Sequence, residues 1–153
     1  MQSARTWVVV GAISAGIAVV TGAFGAHGLE DRLSAVYGDT VRNIAGLEVP
    51  ATYKYLQDFN TAARYQMYHA LGLIALGSIA ATPMTRCQKI SAWSYLIGTV
   101  LFSGSLYVLV LTGQRSLGMI TPVGGVFLIV AWVTFAADCR TQPAGTDSAE
   151  TAS

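Results

Sequence analysis

The stretch from Phe59 to Thr82 reads FNTAARYQMYHALGLIALGSIAAT. Its charged and hydrogen-bonding side chains, Arg64, Tyr65, Gln66, Tyr68 and His69, crowd one end, and the remainder is apolar up to Pro83. A soluble amphipathic helix distributes its polar residues down one side, whereas a helix passing from an interface into hydrocarbon carries them at one end. The stretch is therefore expected to enter a bilayer, and the other apolar runs arrange themselves around it.

The distribution of charge extends this reading to the whole chain. Of the 153 residues 53% are hydrophobic and only 11% charged, against roughly 25% charged in a soluble domain. Lys, Arg, Asp and Glu are absent from Thr6 to Leu29, from Tyr65 to Thr85, from Ile90 to Gln114 and from Ser116 to Ala137. Each window suffices for the roughly 20 helical residues that cross a hydrocarbon core of about 30 Å. In lipid each span must be helical, because a helix satisfies its own backbone groups. The expected fold is an all-α, integral membrane four-helix bundle, with spans at about 7–26, 62–82, 91–111 and 119–137 in a single domain, 1–137. The run after Arg5, ending in AFGA, imitates a signal peptide, but it is long and has no breaker, so it is expected to remain as a helix.

Loop 29–58 is the one extended hydrophilic segment. Leu33, Val36, Tyr37, Val41 and Ile44 recur at helical spacing, which predicts a short amphipathic surface helix ended by Gly46 and Pro50. Ala51 to Phe59 reads as a lead-in to the second span. The polar tail, 138–153, is expected to be disordered. A net charge of +1 offers nothing to nucleic acid. Cys87 and Cys139 have no metal-ligand spacing and read as reduced thiols.

Four spans put both termini on one side, with Arg86 and Lys89. The opposite side holds the long loop and Arg115. Basic residues are diluted and mixed with acids in that loop, so the positive-inside rule leans toward cytoplasmic termini. Trp7, Trp93 and Trp132 fall near the terminal side, as an interfacial aromatic belt would. Small residues Ser14, Ala18, Gly22 and Ala26, with Gly124 and Gly125 in the last span, are candidates for close helix packing.

The same alternation brings His27, Arg64, Tyr65, Gln66, His69, Tyr107 and Thr121 into one half of the bundle, with Ser103 and Ser105 nearer the middle. Several readings of this polar cluster stand side by side. The groups can be interhelical glue, worth about 0.6–2 kcal/mol per bond. They can line a pocket for a small solute or a permeation path. His27 and His69 can be a haem or metal pair. They can also meet a partner protein or lipid. No catalytic constellation emerges: Ser103 and Ser105 have no acid to orient His69 and no nucleophile elbow. No cofactor is expected. The expected partners are the lipid bilayer and other membrane subunits or further copies of the chain, and the leading expectation is a non-enzymatic accessory or scaffold protein.

GAFGAHGL (Gly22 to Leu29), RYQMYHALGL (Arg64 to Leu73), LFSGSLYVLVLTG (Leu101 to Gly113) and ITPVGGVFLIVAW (Ile120 to Trp132) resemble the successive signatures of the domain of unknown function 423 family. These are small bacterial inner-membrane proteins related to mitochondrial transmembrane protein 256. The resemblance implies a four-helix protein of the plasma or inner membrane and carries no activity with it. Its motif positions, among them His27, Arg64, Gln66, His69, Ser103, Tyr107, Pro122 and Gly125, largely coincide with the polar cluster. Between Leu33 and Tyr53 the chain is longer than the family pattern, and the extra segment, roughly Val36 to Pro50, reads as a tolerated surface insertion first and as a docking element second.

Overall fold

The computed structural model describes residues 4–141. In chain order the elements are α1 (Ala4–His27), α2 (Glu30–Tyr37), β1 (Val41–Ile44), β2 (Leu47–Pro50), α3 (Ala51–Ile79), α4 (Arg86–Thr99), a π-helical turn (Val100–Gly104), α5 (Ser105–Thr112), a 3-10 turn (Arg115–Met119) and α6 (Thr121–Thr141). Among the described residues three helical stretches are long and apolar enough to cross a membrane: Ala4–His27, Arg86–Thr112 and Arg115–Cys139. The fourth expected span is part of α3, which falls short in apolarity because Arg64, Gln66 and His69 interrupt it. The predicted lead-in and span are one continuous helix, Ala51–Ile79.

That helix is the centre of the molecule. Its buried positions Ala51, Tyr55, Phe59, Ala62, Gln66, His69, Leu73 and Leu76 recur every three or four residues, the interval that keeps side chains on one helical face. α1 lies antiparallel along it. A Cβ added at Gly77 would stand 2.9 Å from Ala4 O, one at Gly11 2.9 Å from Ala70 O, and one at Gly25 3.0 Å from a Phe59 ring carbon. Gly11 thus meets Ala70, Gly25 meets Phe59 and Gly77 meets Ala4 and Val8, and the buried small residues Gly11, Ala18 and Gly25 on α1, like Ala63, Ala70 and Gly77 on α3, recur at every seventh position. This is the small-residue seam of an antiparallel helix pair. The expected stripe follows a step of four, which turns about 40° too far at each repeat. Accordingly Ser14 and Ala18 meet α3, whereas Gly22 faces open space and Ala26 is exposed.

α4 packs against α6 on the other flank of α3. Gly98 admits Leu128, and Gly124 admits backbone: a Cβ there would stand 2.4 Å from Phe102 N. Gly125 has its nearest neighbour at 3.9 Å and takes no part in close approach. Trp7 is buried and meets Trp93 edge-on with centroids 5.3 Å apart. It belongs to the core at that end, not to a lipid-facing belt; Trp93 and Trp132 are exposed.

The long loop departs most from expectation. Helix α2 stops at Tyr37, and Val41 and Ile44 lie in a two-stranded hairpin paired Val41 with Pro50 and Ile44 with Leu47. Ala45 and Gly46 form its turn at φ 52° and 88°. Two successive positive φ values suit the right-handed twist of a two-residue hairpin, and β-branched residues at 41, 44 and 49 favour strand. α2 docks on the end of α5. Arg32 Nη2 donates to Leu111 O at 2.8 Å, and the Tyr37 hydroxyl donates to the Leu109 and Val110 carbonyls, each at 3.1 Å. They belong to the last turn of α5, where Leu109 O also accepts from Gly113 N at 2.8 Å, and a cation such as Arg32 is favourable at a helix C-terminus.

At the far end α6 continues through Asp138, which the expected tail had claimed. Asp138 is buried and accepts from Thr85 Oγ1 at 2.7 Å and from Gln88 Nε2 at 2.8 Å. Thr85 and Gln88 also cap α4 reciprocally, so one carboxylate pins the start of α4 to the end of α6. The helix runs on to Thr141, and residues 142–153 of the expected disordered tail lie outside the described residues.

Candidate functional site

Between the apolar clusters at the two ends runs a belt of polar side chains. Its core is a directional relay. Gln66 Nε2 donates to Ser14 O at 3.0 Å, and the Tyr107 hydroxyl donates to Gln66 Oε1 at 2.9 Å. Tyr107 has one proton, so its oxygen can only accept from Thr21 Oγ1, 2.9 Å away, whose single proton is shared with the Ile17 and Ala18 carbonyls of α1 at 3.0 and 3.1 Å. The order is Thr21 to Tyr107 to Gln66 to the α1 backbone, and it ties α1, α3 and α5 together. Ser103 donates to Ala62 O at 2.8 Å. Ser105 and Thr121 share a hydrogen bond of 2.9 Å that joins α5 to α6.

His69 Nδ1 lies 2.6 Å from Tyr65 O. A carbonyl can only accept, so the proton is on Nδ1 and Nε2 carries the lone pair. Tyr95 is buried, and its hydroxyl has no hydrogen-bond partner among the described residues. That hydroxyl lies against Gly72, whose added Cβ would stand 3.1 Å from it and equally close to Trp132 Cη2.

These groups border a cleft of about 390 Å³ between α1 and the α4–α5 stretch, floored by α3. Ile13, Ile17 and Val100 form its lips and are half or more exposed. Gln66, His69, Ser103 and Tyr107 reach its lining, and the π-helical turn supplies Val100, Ser103 and Gly104. No Lys, Arg, Asp or Glu lines it. The volume lies at the lower end of the roughly 300–1,000 Å³ of small-molecule sites. A π-helical turn inserts an extra residue into a helix and is frequent at functional sites.

The cluster expected from sequence thus divides. Gln66, His69, Ser103 and Tyr107 share the cleft. Ser105 and Thr121 form a separate pair. Tyr65 lies outside the cleft and stacks on Phe102 with centroids 4.9 Å apart. Arg64 is exposed, with Nε 3.4 Å from Asn60 O. His27 is exposed near the α2 cap, in a different cleft with Glu30 and Tyr53. Since Gly25 is level with Phe59 and Ser14 with Gln66, His27 and His69 are separated by roughly 15–20 Å along the bundle. They do not form a ligand pair. Among the described residues no group of three or more His, Cys, Asp or Glu is placed to hold a metal ion.

Sequence reasoning missed Thr21, Tyr95 and the Thr85–Gln88–Asp138 latch. The T-x-x-Q spacing of Thr85 and Gln88 is a legible capping signal. The partnership of Thr21 with Tyr107 is visible only once the helices are packed.

Comparison with known proteins gives one consistent answer. The sequence model described as "Protein of unknown function (DUF423)" matches residues 21–125. A UPF0382 membrane protein of Staphylococcus saprophyticus is 44% identical over 129 residues, covering 84% of this chain and 92% of the relative. The UPF0382 membrane protein YwdK of Bacillus subtilis is 40% identical over 130 residues, covering 84% and 91%. No solved structure matches the chain. With the family pattern running from the end of α1 into α6, and relatives of nearly the same length, the chain belongs to the DUF423 family of membrane proteins.

Proposed function

We propose that this is a four-span protein of the inner membrane, with cytoplasmic termini, that binds a small uncharged molecule in the cleft between α1 and the α4–α5 stretch. The carrying observation is the convergence of Gln66, His69 and Tyr107 on an otherwise apolar, charge-free cleft whose lips are exposed. The fourth crossing is supported by packing. From Phe59 to Gly77 α3 lies antiparallel along α1, so where α1 crosses, that part of α3 crosses with it. Of its polar side chains Gln66 is bonded to α1 and α5 and His69 to the Tyr65 carbonyl of α3 itself, and both are buried.

A photoreactive amino acid placed at Ile13 or Val100 tests the binding role in native membranes. Cleft positions are expected to capture a discrete small-molecule adduct absent from a lipid-facing control at Val133. The same lipid adducts at all three positions would refute it. Orientation is read separately with a membrane-impermeant maleimide at Cys87 and Cys139, both exposed. Both are expected to react in inverted vesicles and to be protected in intact cells.

One observation favours a second reading, an accessory subunit or homo-oligomer. Gly16 and Gly22 face open space on α1, room in which another helix can approach closely. Extraction in mild detergent followed by native electrophoresis decides it. A stoichiometric larger complex supports that role, and a monomer removes it.

A further inference from the structure

We propose that the occupant of the cleft is a neutral, membrane-dissolved amphiphile whose head is a hydroxyl group, held by His69 Nε2 and the second amide proton of Gln66. This rests on the cleft being a ligand site and names the class of ligand. Two features of the cleft select the molecule.

The first is access. Ile13 is 59% exposed, Ile17 50% and Val100 61%, and all three line the cleft. Its mouth therefore opens through the apolar perimeter of helices that face hydrocarbon. A molecule arriving there comes from the bilayer and leaves its apolar tail between these lips. The lining carries no charged side chain. A carboxylate, phosphate or ammonium head would have no counter-charge and would lose its hydration.

The second is the hydrogen-bonding inventory. Tyr107 gives its proton to Gln66, and Ser103 gives its proton to Ala62 O. Tyr95 also lines the cleft and keeps a hydroxyl without a partner among the described residues, buried against Gly72, and two adjacent capacities remain on α3. His69 Nε2 holds a lone pair because Nδ1–H is fixed on Tyr65 O. Gln66 Nε2 has spent one proton on Ser14 O and has one more. The two residues are three apart on α3, so their side chains are neighbours about 5–6 Å apart at Cβ. An acceptor beside a donor is the complement of a hydroxyl, which donates to one and accepts from the other. An ether or ester supplies only acceptors and leaves Nε2 unpaired in a dry site.

The test uses the full chain in lipid nanodiscs with a diazirine-bearing long-chain alcohol, its methyl ether and the matching carboxylate. The alcohol is expected to label cleft peptides containing Ile13, Ile17 or Val100 about tenfold more than the ether, the effect of one lost hydrogen bond in a desolvated site. His69→Phe should bring alcohol labelling down to the ether level, with helicity and melting checked by circular dichroism. The alcohol–ether comparison on the unmodified protein stands even where that variant fails to fold. Equal labelling by alcohol and ether overturns hydroxyl recognition while leaving a ligand cleft. Stronger labelling by the carboxylate overturns the neutral head. Labelling by all three no higher in the cleft than at Val126 and Val133 overturns both this inference and the binding function beneath it.

Discussion

The neighbouring glycines Gly124 and Gly125 give opposite expectations for the same chemical change. An added Cβ at Gly124 stands 2.4 Å from Phe102 N, 2.8 Å from Leu101 C and 2.9 Å from Phe102 Cα. Ordinary contacts begin near 3.4 Å, so α6 must retreat by about 1 Å. All three obstacles are backbone, held by the π-helical turn and by the Ser103 bond to Ala62, and none can rotate away. Overpacking of this kind costs about 1–3 kcal/mol, and a rigid obstacle puts Gly124→Ala at the upper end. At about 2–3 kcal/mol the folding equilibrium falls roughly 30- to 150-fold. At Gly125 the nearest atom is 3.9 Å away, so Gly125→Ala is expected to be neutral or to stabilise by up to about 1 kcal/mol, the helix-propensity gain of alanine over glycine. Both variants would be unfolded in mixed micelles by increasing the mole fraction of sodium dodecyl sulfate, followed by circular dichroism. Equal stability of the two variants would falsify the close approach of α6 to the π-helical turn.

Other perturbations probe separate parts of the molecule. Tyr95→Phe removes a buried hydroxyl without a partner and should raise stability by about 1 kcal/mol; a loss of that size would mean the hydroxyl is bonded. Asp138→Ala takes the Asp138 partner from Nε2 of the fully buried Gln88, whose Oε1 stays bonded to the Ala81 and Thr85 amides, and should cost about 1–3 kcal/mol in the same micelle titration, with Asp138→Asn retaining part of it. Tyr37 is pushed from 10.0 up to about 12 by burial, then by Tyr55 and Asp58 beside it, against a smaller lowering by Arg115. Its unfolded form loses its proton first, so stability is independent of Tyr37 below about pH 10 and falls between about pH 10 and 12. Tyr37→Phe should remove that part of the alkaline slope, and an unchanged slope would contradict the docking of α2 on α5.

How far the sequence carried the site depends on what each residue's role requires. Gln66, His69, Ser103 and Tyr107 were grouped from topology alone, because alternating helix directions bring the ends of successive helices together. Arg64 and Tyr65 were grouped with them for the same reason, yet a helix turns about 100° per residue and sends these two outward. Level along the bundle was legible; facing was not. His27 and His69 show the other limit. Both belong to the same half of the bundle, and only the pairing of Gly25 with Phe59 shows how far apart they lie.

The sequence by itself determined that the chain is helical and apolar over stretches long enough to cross a membrane. Uncharged runs, Pro83, the Gly113 turn and the T-x-x-Q cap are local signals, and local chemistry is enough to read them. Tertiary structure alone decided which residues meet. The seam of Gly11, Ala18 and Gly25 follows the period of two helices wound together, which one helix does not reveal. The hairpin at 41–50 won over a helix because Ala45 and Gly46 both take positive φ. Asp138 became a latch because the N-terminus of α4 arrives beside it. The hairpin is a local pairing of residues three to nine positions apart, whereas the seam and the latch depend on partners distant in sequence, and the energy that selects them exists only in the packed state.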